Sequence, residues 1–180
     1  PENKNVLYPY LNGEDLNSRP DQSPSRWVIN FHNWPLDRSA SGSWDDADEK
    51  DRRKYLQNGR VPSDYPAPVA ADYPDCLAIV EEKVKPERQR KKQNGQYALR
   101  KPLPQRWWHY AEKRPALYAA IAGMERVLVI PETTKYCAFS VCSTGQVFSH
   151  MTKVISEDDL AIFSTLSSSL HDCWARTHSS

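Results

Sequence analysis

The chain has 180 residues, of which 39% are hydrophobic, and a formal net charge of +1 from 24 Lys+Arg against 23 Asp+Glu. That length suits one ordinary domain with a sizeable core, and 6 Trp, 9 Tyr and 4 Phe supply the buried area that argues against a disordered chain. The longest apolar run, Ala116 to Ala122, falls far short of the roughly 18 residues that a membrane span needs, and no basic-then-apolar signal segment opens the chain.

Residue 1 is Pro, so a piece excised from a longer protein is expected. Val6 to Tyr10 is apolar and bounded by Pro, and Asn12-Gly13-Glu14-Asp15 is turn chemistry. Arg26 to Phe31 places Trp27, Ile29 and Phe31 at period two, which predicts a strand with one buried side. Residues 37–74 read as a charged, Pro-rich insertion or linker. Within it, Asp48–Arg52 and Glu49–Arg53 have the i,i+4 spacing of an exposed helix. Asp75 is the expected N-cap of a helix with Leu77, Val80 and Val84 on one face, ended or kinked by Pro86.

Residues 90–104 are polar and read as an irregular loop, followed by a short helix over Arg106–Ala111 whose Trp107 and Trp108 are expected in the core. Pro115 opens a further helix that ends near Gly123. Val127 to Ile130 is a short buried strand. Tyr136 to Cys142 alternates, and Gln146 to Ile155 is expected to return antiparallel to it through Ser143-Thr144-Gly145. Leu160, Phe163, Leu166 and Leu170 predict one closing helix running to about Ala175. The class these elements predict is α+β, a single domain with a small, mostly antiparallel sheet and flanking helices.

The near-neutral total hides a segregation. Lys83, Lys85, Arg88, Arg90, Lys91, Lys92, Arg100, Lys101, Arg106, Lys113 and Arg114 lie in one stretch, opposed there only by Glu87 and Glu112. The rest of the chain is correspondingly acidic. A belt of this kind, interleaved with Tyr97, Trp107, Trp108 and Tyr110, suits a phosphate backbone. A solvated surface or an acidic protein partner is the competing explanation.

Enzyme chemistry is thin. Asp75, Glu81 and Lys83 mimic the acids and lysine of a metal-dependent nuclease, but on a helix positions 75 and 81 fall on nearly opposite faces. No glycine-rich phosphate cradle occurs. Cys137, Cys142, His150 and Cys173 can be drawn as a zinc set, but they lack paired spacing; reduced, buried thiols in the cytoplasm are the expectation for Cys76, Cys137, Cys142 and Cys173.

Several segments taken in order carry a resemblance. They are Tyr8-Pro9-Tyr10-Leu11-Asn12-Gly13-Glu14-Asp15-Leu16, Arg26 to Phe31, Tyr73-Pro74 with Lys85-Pro86-Glu87-Arg88, Arg106-Trp107-Trp108-His109-Tyr110, and Leu166 to Trp174. Together they resemble the target-recognition region of Eco57I- and MmeI-like type II restriction-modification adenine-N6 DNA methyltransferases. The resemblance implies a specificity domain that docks on double-stranded DNA beside the catalytic methyltransferase domain of its parent chain. It also implies that S-adenosylmethionine binds in the parent. This stretch has neither the Asn/Asp-Pro-Pro-Tyr/Phe loop nor a glycine-rich cofactor strand, so it is expected to be non-catalytic and to hold no cofactor or metal. Lys83, Lys85, Arg88, Arg90, Lys91, Lys92, Arg100, Lys101, Arg106 and Arg114 would contact phosphates. The resemblance suggests base reading from the strand-rich part after Pro131, with Lys135, Tyr136, Gln146 and His150 as candidates.

Overall fold

The computed structural model describes residues 2–178. In chain order its strands are β1 (Leu7–Leu11), β2 (Arg26–Ile29), β3 (Arg126–Pro131), β4 (Ser140–Ser143), β5 (Val147–Phe148) and β6 (Thr152–Ile155). Its α-helices are α1 (Gly13–Ser18), α2 (Glu49–Asn58), α3 (Pro74–Lys83), α4 (Lys85–Arg88), α5 (Pro115–Ala120), α6 (Leu160–Leu166) and α7 (Ser169–His178). The α+β class stands. The chain divides into two compact units, residues 1–7 with 29–113 and residues 8–28 with 114–180.

The first unit is helical. Its core joins Val6, Phe31, Ala70, Tyr73, Cys76, Val80, Trp107 and Trp108, with Trp34, Leu36, Leu77 and Val84 packed against it. Helix α2 forms where the charge spacing predicts: Asp48 caps it and Arg53 pairs with Glu49 at 2.8 Å. Arg52 turns back instead, donating to the carbonyls of Trp44 and Asp45. Helix α3 starts one residue before Asp75. Tyr73 is its N-cap, Pro74 fills the first position, and Asp75 lies in the first turn, accepting from Asn3 Nδ2. The expected interruption falls at Val84, between α3 and α4; Pro86 sits in the first turn of α4 and has no N–H to donate back to the preceding turn. The stretch 37–74 is ordered by burial and hydrogen bonds of its own. Val61 and Val69 are buried, and the Arg38 guanidinium grips Asp72 and the carbonyls of Tyr65 and Ala67.

The second unit holds both sheets. The order β2-β1-β5 is closed by parallel pairing of Tyr10 with Val147 and Leu11 with Phe148. The order β4-β3-β6 is antiparallel throughout. The expected hairpin of 136–142 with 146–155 does not form. Val127, Leu128 and Val129 of β3 are fully buried, so this strand takes the central place and pairs with β4 on one edge and β6 on the other. Leu11, Leu16, Ile121, Val127, Val129, Cys142 and Phe148 form the core. Burial there pushes the Cys142 thiol up to about 11, consistent with an inert thiol.

Two further expectations change. Trp27, on the edge strand β2, is 66% exposed, so the predicted buried face is not continuous. The closing helix is broken into α6 and α7 at Ser167–Ser168, where the Ser168 hydroxyl donates to the Thr165 carbonyl and accepts from the His171 amide.

Gly59 ends α2 with φ at +74°, and a Cβ there would lie 2.6 Å from the Trp108 ring. Gly59→Ala is expected to cost at least about 2 kcal/mol, from left-handed strain plus overpacking. The checking measurement is the urea midpoint, and a variant as stable as the parent protein would contradict this packing.

Candidate nucleic-acid interface

The members of the cationic belt differ in their surroundings. The structure sorts its members by what their head groups touch. Arg88 donates to the His109 carbonyl at 2.6 Å, and Arg106 donates to the Leu56 and Gln57 carbonyls at the end of α2. Lys113 reaches Asn33 Oδ1 and His109 Nδ1. Arg114, in the second unit, donates to the Ser149 and Thr152 carbonyls. These four are partly buried, and burial holds Arg88, Arg106 and Lys113 below their usual pKa values. Lys83 pairs with Glu82, and Lys85 pairs with Glu81 while lying 4.8 Å from the Trp107 ring centroid.

The remaining five, Arg90, Lys91, Lys92, Arg100 and Lys101, are exposed. Among the described residues no carboxylate pairs with any of them. No acidic residue occurs between Glu87 and Glu112 to do so. Three of the five stand on a β-hairpin, a finger where an irregular loop is expected. Lys91 and Tyr97 form an antiparallel bridge, the Ala98 amide donates to the Arg90 carbonyl, and the Lys92 amide donates to the Gln96 carbonyl. The Gly95 amide closes the turn onto the Lys92 carbonyl, with Gly95 at φ +78°. A three-residue loop ending in a left-handed glycine is a standard hairpin closure, and the Asn94-Gly95 pair was its signal in the sequence. The finger's aromatic, Tyr97, has Lys91 Nζ 5.8 Å from its ring centroid.

The finger is rooted at both ends. Its first arm leaves α4, and Gln89 Nε2 donates across to the Pro104 carbonyl at 3.2 Å. Its second arm leads into residues 101–109, which form successive turns rather than the expected helix. Trp107 and Trp108, 6% and 4% exposed, fix those turns in the core as expected. Trp108 Nε1 and His109 Nε2 both donate to the Trp34 carbonyl, at 3.0 and 2.8 Å. A carbonyl can only accept and an ammonium only donate, so His109 is neutral with its proton on Nε2 and Nδ1 facing Lys113.

The candidates beyond Pro131 differ in exposure and engagement. Lys135 and Tyr136 are exposed neighbours with the ammonium 5.3 Å from the ring centroid, and His150 is exposed. Gln146 is buried, and its amide donates to the Ser143 carbonyl, closing the turn before β5. Asp75, Glu81 and Lys83 have separate partners in Asn3, Lys85 and Glu82. Cys137 Sγ lies 4.0 Å from His171 Nδ1. Among the described residues no three His, Cys, Asp or Glu side chains gather as a metal set, and no helix is long and apolar enough to cross a membrane. Comparison with family models, curated proteins and solved structures finds no match for the chain.

Burial is the main cause that lowers the His109 pKa from 6.5 to about 4, with Lys113, Arg106 and Arg88 adding repulsion and the Trp34 hydrogen bond opposing. The unfolded chain therefore binds a proton near pH 6.5 that the folded chain refuses until about pH 4. Stability is full above pH 6.5 and falls as pH drops through that window, by up to about 3 kcal/mol. Urea titrations at pH 7.5 and 4.5 on the protein and on His109→Gln check this. The variant is expected to lose part of the pH dependence, and identical dependence in both would contradict it.

Proposed function

We propose that this chain binds double-stranded DNA and serves as the target-recognition part of an adenine-N6 DNA methyltransferase of the restriction-modification kind. The observation that supports it most is the finger with its flanks: five exposed cations without carboxylate partners, carried by a segment that has no acidic residue. A surface salt bridge would have offset such charges locally. Left unpaired, they are suited to releasing counterions from a polyphosphate. The phosphate-contact set of the sequence reading thereby narrows to Arg90, Lys91, Lys92, Arg100 and Lys101, because Arg88, Arg106 and Arg114 spend their donors on backbone carbonyls. The ordered motifs that resemble restriction-modification specificity regions support the rest of the reading. In it, methyl transfer and S-adenosylmethionine binding belong to another domain of the parent chain.

A second reading, a protein-interaction module, draws on a different observation. Leu170 and Trp174 of α7, two large apolar side chains at i,i+4 spacing, are 83% and 62% exposed. The two readings are compatible if α7 meets the parent's catalytic domain while the finger meets DNA.

The test is fluorescence anisotropy with a labelled duplex between 50 and 200 mM salt. Each phosphate contact contributes about −0.9 to the slope of log K against log salt. Replacing Arg90, Lys91, Lys92, Arg100 and Lys101 together by Gln is expected to reduce the slope by about 4. Replacing Arg53 and Lys54, which already pair with Glu49 and Asp51 on α2, is expected to leave it unchanged. An unaltered slope in the fivefold variant removes the finger from the interface.

A further inference from the structure

We infer that the tip of the 90–98 hairpin is a base-reading element: it enters the major groove and recognises adenine through the side-chain amides of Gln93 and Gln96. The inference rests on the DNA-binding reading above and names the residues and the base class that give it specificity.

Shape comes first. From the bonded pair Arg90–Ala98 to the pair Lys92–Gln96 the arms advance two residues, about 7 Å at roughly 3.3 Å per residue, and the three-residue loop with its side chains extends beyond that. The major groove is about 8.5 Å deep and 12 Å wide, and it admits a two-stranded ribbon. With Arg90 at the level of the phosphates, the loop and its glutamine side chains span the remaining depth to the groove floor. The tip is also unobstructed. Residues 90–97 are all exposed, and nothing lies within 4 Å of a Cβ built on Gly95.

Chemistry follows. The tip sequence Gln93-Asn94-Gly95-Gln96 is uncharged and carries three amides. Asn94 Oδ1 accepts from the Gln96 backbone amide at 3.1 Å, so this side chain is engaged in shaping the turn. The side chains of Gln93 and Gln96 have no partner among the described residues. Each offers one acceptor and one donor side by side, the complement of adenine N6 and N7 in the major groove. Charge on the arms with neutral amides at the tip separates phosphate contact, which fixes register, from base contact, which carries sequence information.

The experiment is selection of bound duplexes from a randomised pool by the 180-residue chain, with sequencing of the bound fraction and anisotropy on the enriched and random duplexes. The variants are Gln93→Ala with Gln96→Ala, and Gln93→Glu with Gln96→Glu; both positions are exposed. The protein is expected to enrich a motif containing adenine. The alanine pair is expected to lose about tenfold discrimination at one or two adenine positions, while binding to random duplex stays within about threefold and the salt slope is retained. The glutamate pair is expected to shift those positions towards cytosine, whose N4 amine donates to a carboxylate. An unchanged motif in the alanine pair, or duplex binding with no motif in the protein itself, overturns the inference and leaves the DNA-binding reading intact. Absence of any salt-dependent duplex binding overturns both.

Discussion

The main-chain carbonyl of Trp34 is the fixed point of the first unit. It accepts from the Trp108 indole and from the neutral His109 ring at once, which uses both lone pairs of the oxygen. The Trp34 bond needs only the Nε2 proton; the Lys113 ammonium needs Nδ1 unprotonated, and burial together with the surrounding cations favours that neutral ring. Lys113 and Arg88 then lock onto His109 from either side, one at the ring and one at the carbonyl. A strap of turns with little regular structure is thereby anchored to the core. Each buried donor or acceptor left unmatched here would cost about 1–3 kcal/mol.

The finger depends on that strap. A hairpin with one bridge and a three-residue loop is marginal in water by itself. Here its two ends leave from α4 and from the strap, and the Gln89–Pro104 hydrogen bond ties them together. The positive charges are therefore presented from a fixed base rather than from a free loop. Cations nearer that base are drawn into the protein, where Arg88 and Arg106 serve carbonyls. Those further out have nothing to pair with, because the intervening chain contains no carboxylate.

The same division of labour runs through the candidates beyond Pro131. The Gln146 amide is consumed by the turn that sends the chain from β4 to β5. Gln93 and Gln96 carry the same functional group but stand at a tip where the backbone turn is completed by Asn94 and Gly95, which leaves them unengaged. An amide in a turn serves either the turn or a ligand, and the number of other groups available to close the turn decides which.

Much of this was legible in the residues. The α+β class, the charged helix α2, the interruption before Pro86, the burial of Trp107 and Trp108 and the strand at Val127 follow from local rules: i,i+4 charge spacing, the missing proline N–H, aromatic area and apolar runs. The clustering of charge is likewise a property of the sequence. What the sequence could not decide is where each cation's head group ends. Lysine and arginine side chains span several ångströms, and their partners, the carbonyls of Leu56, His109 and Ser149, carry no residue-type signal because every residue has one. Strand partnership is equally non-local: the choice of β3 as the shared centre depends on which strand the core covers on both faces. Only the folded chain could sort one run of positive charge into structural bonds and a free finger, since that sorting depends on distances between residues far apart in sequence.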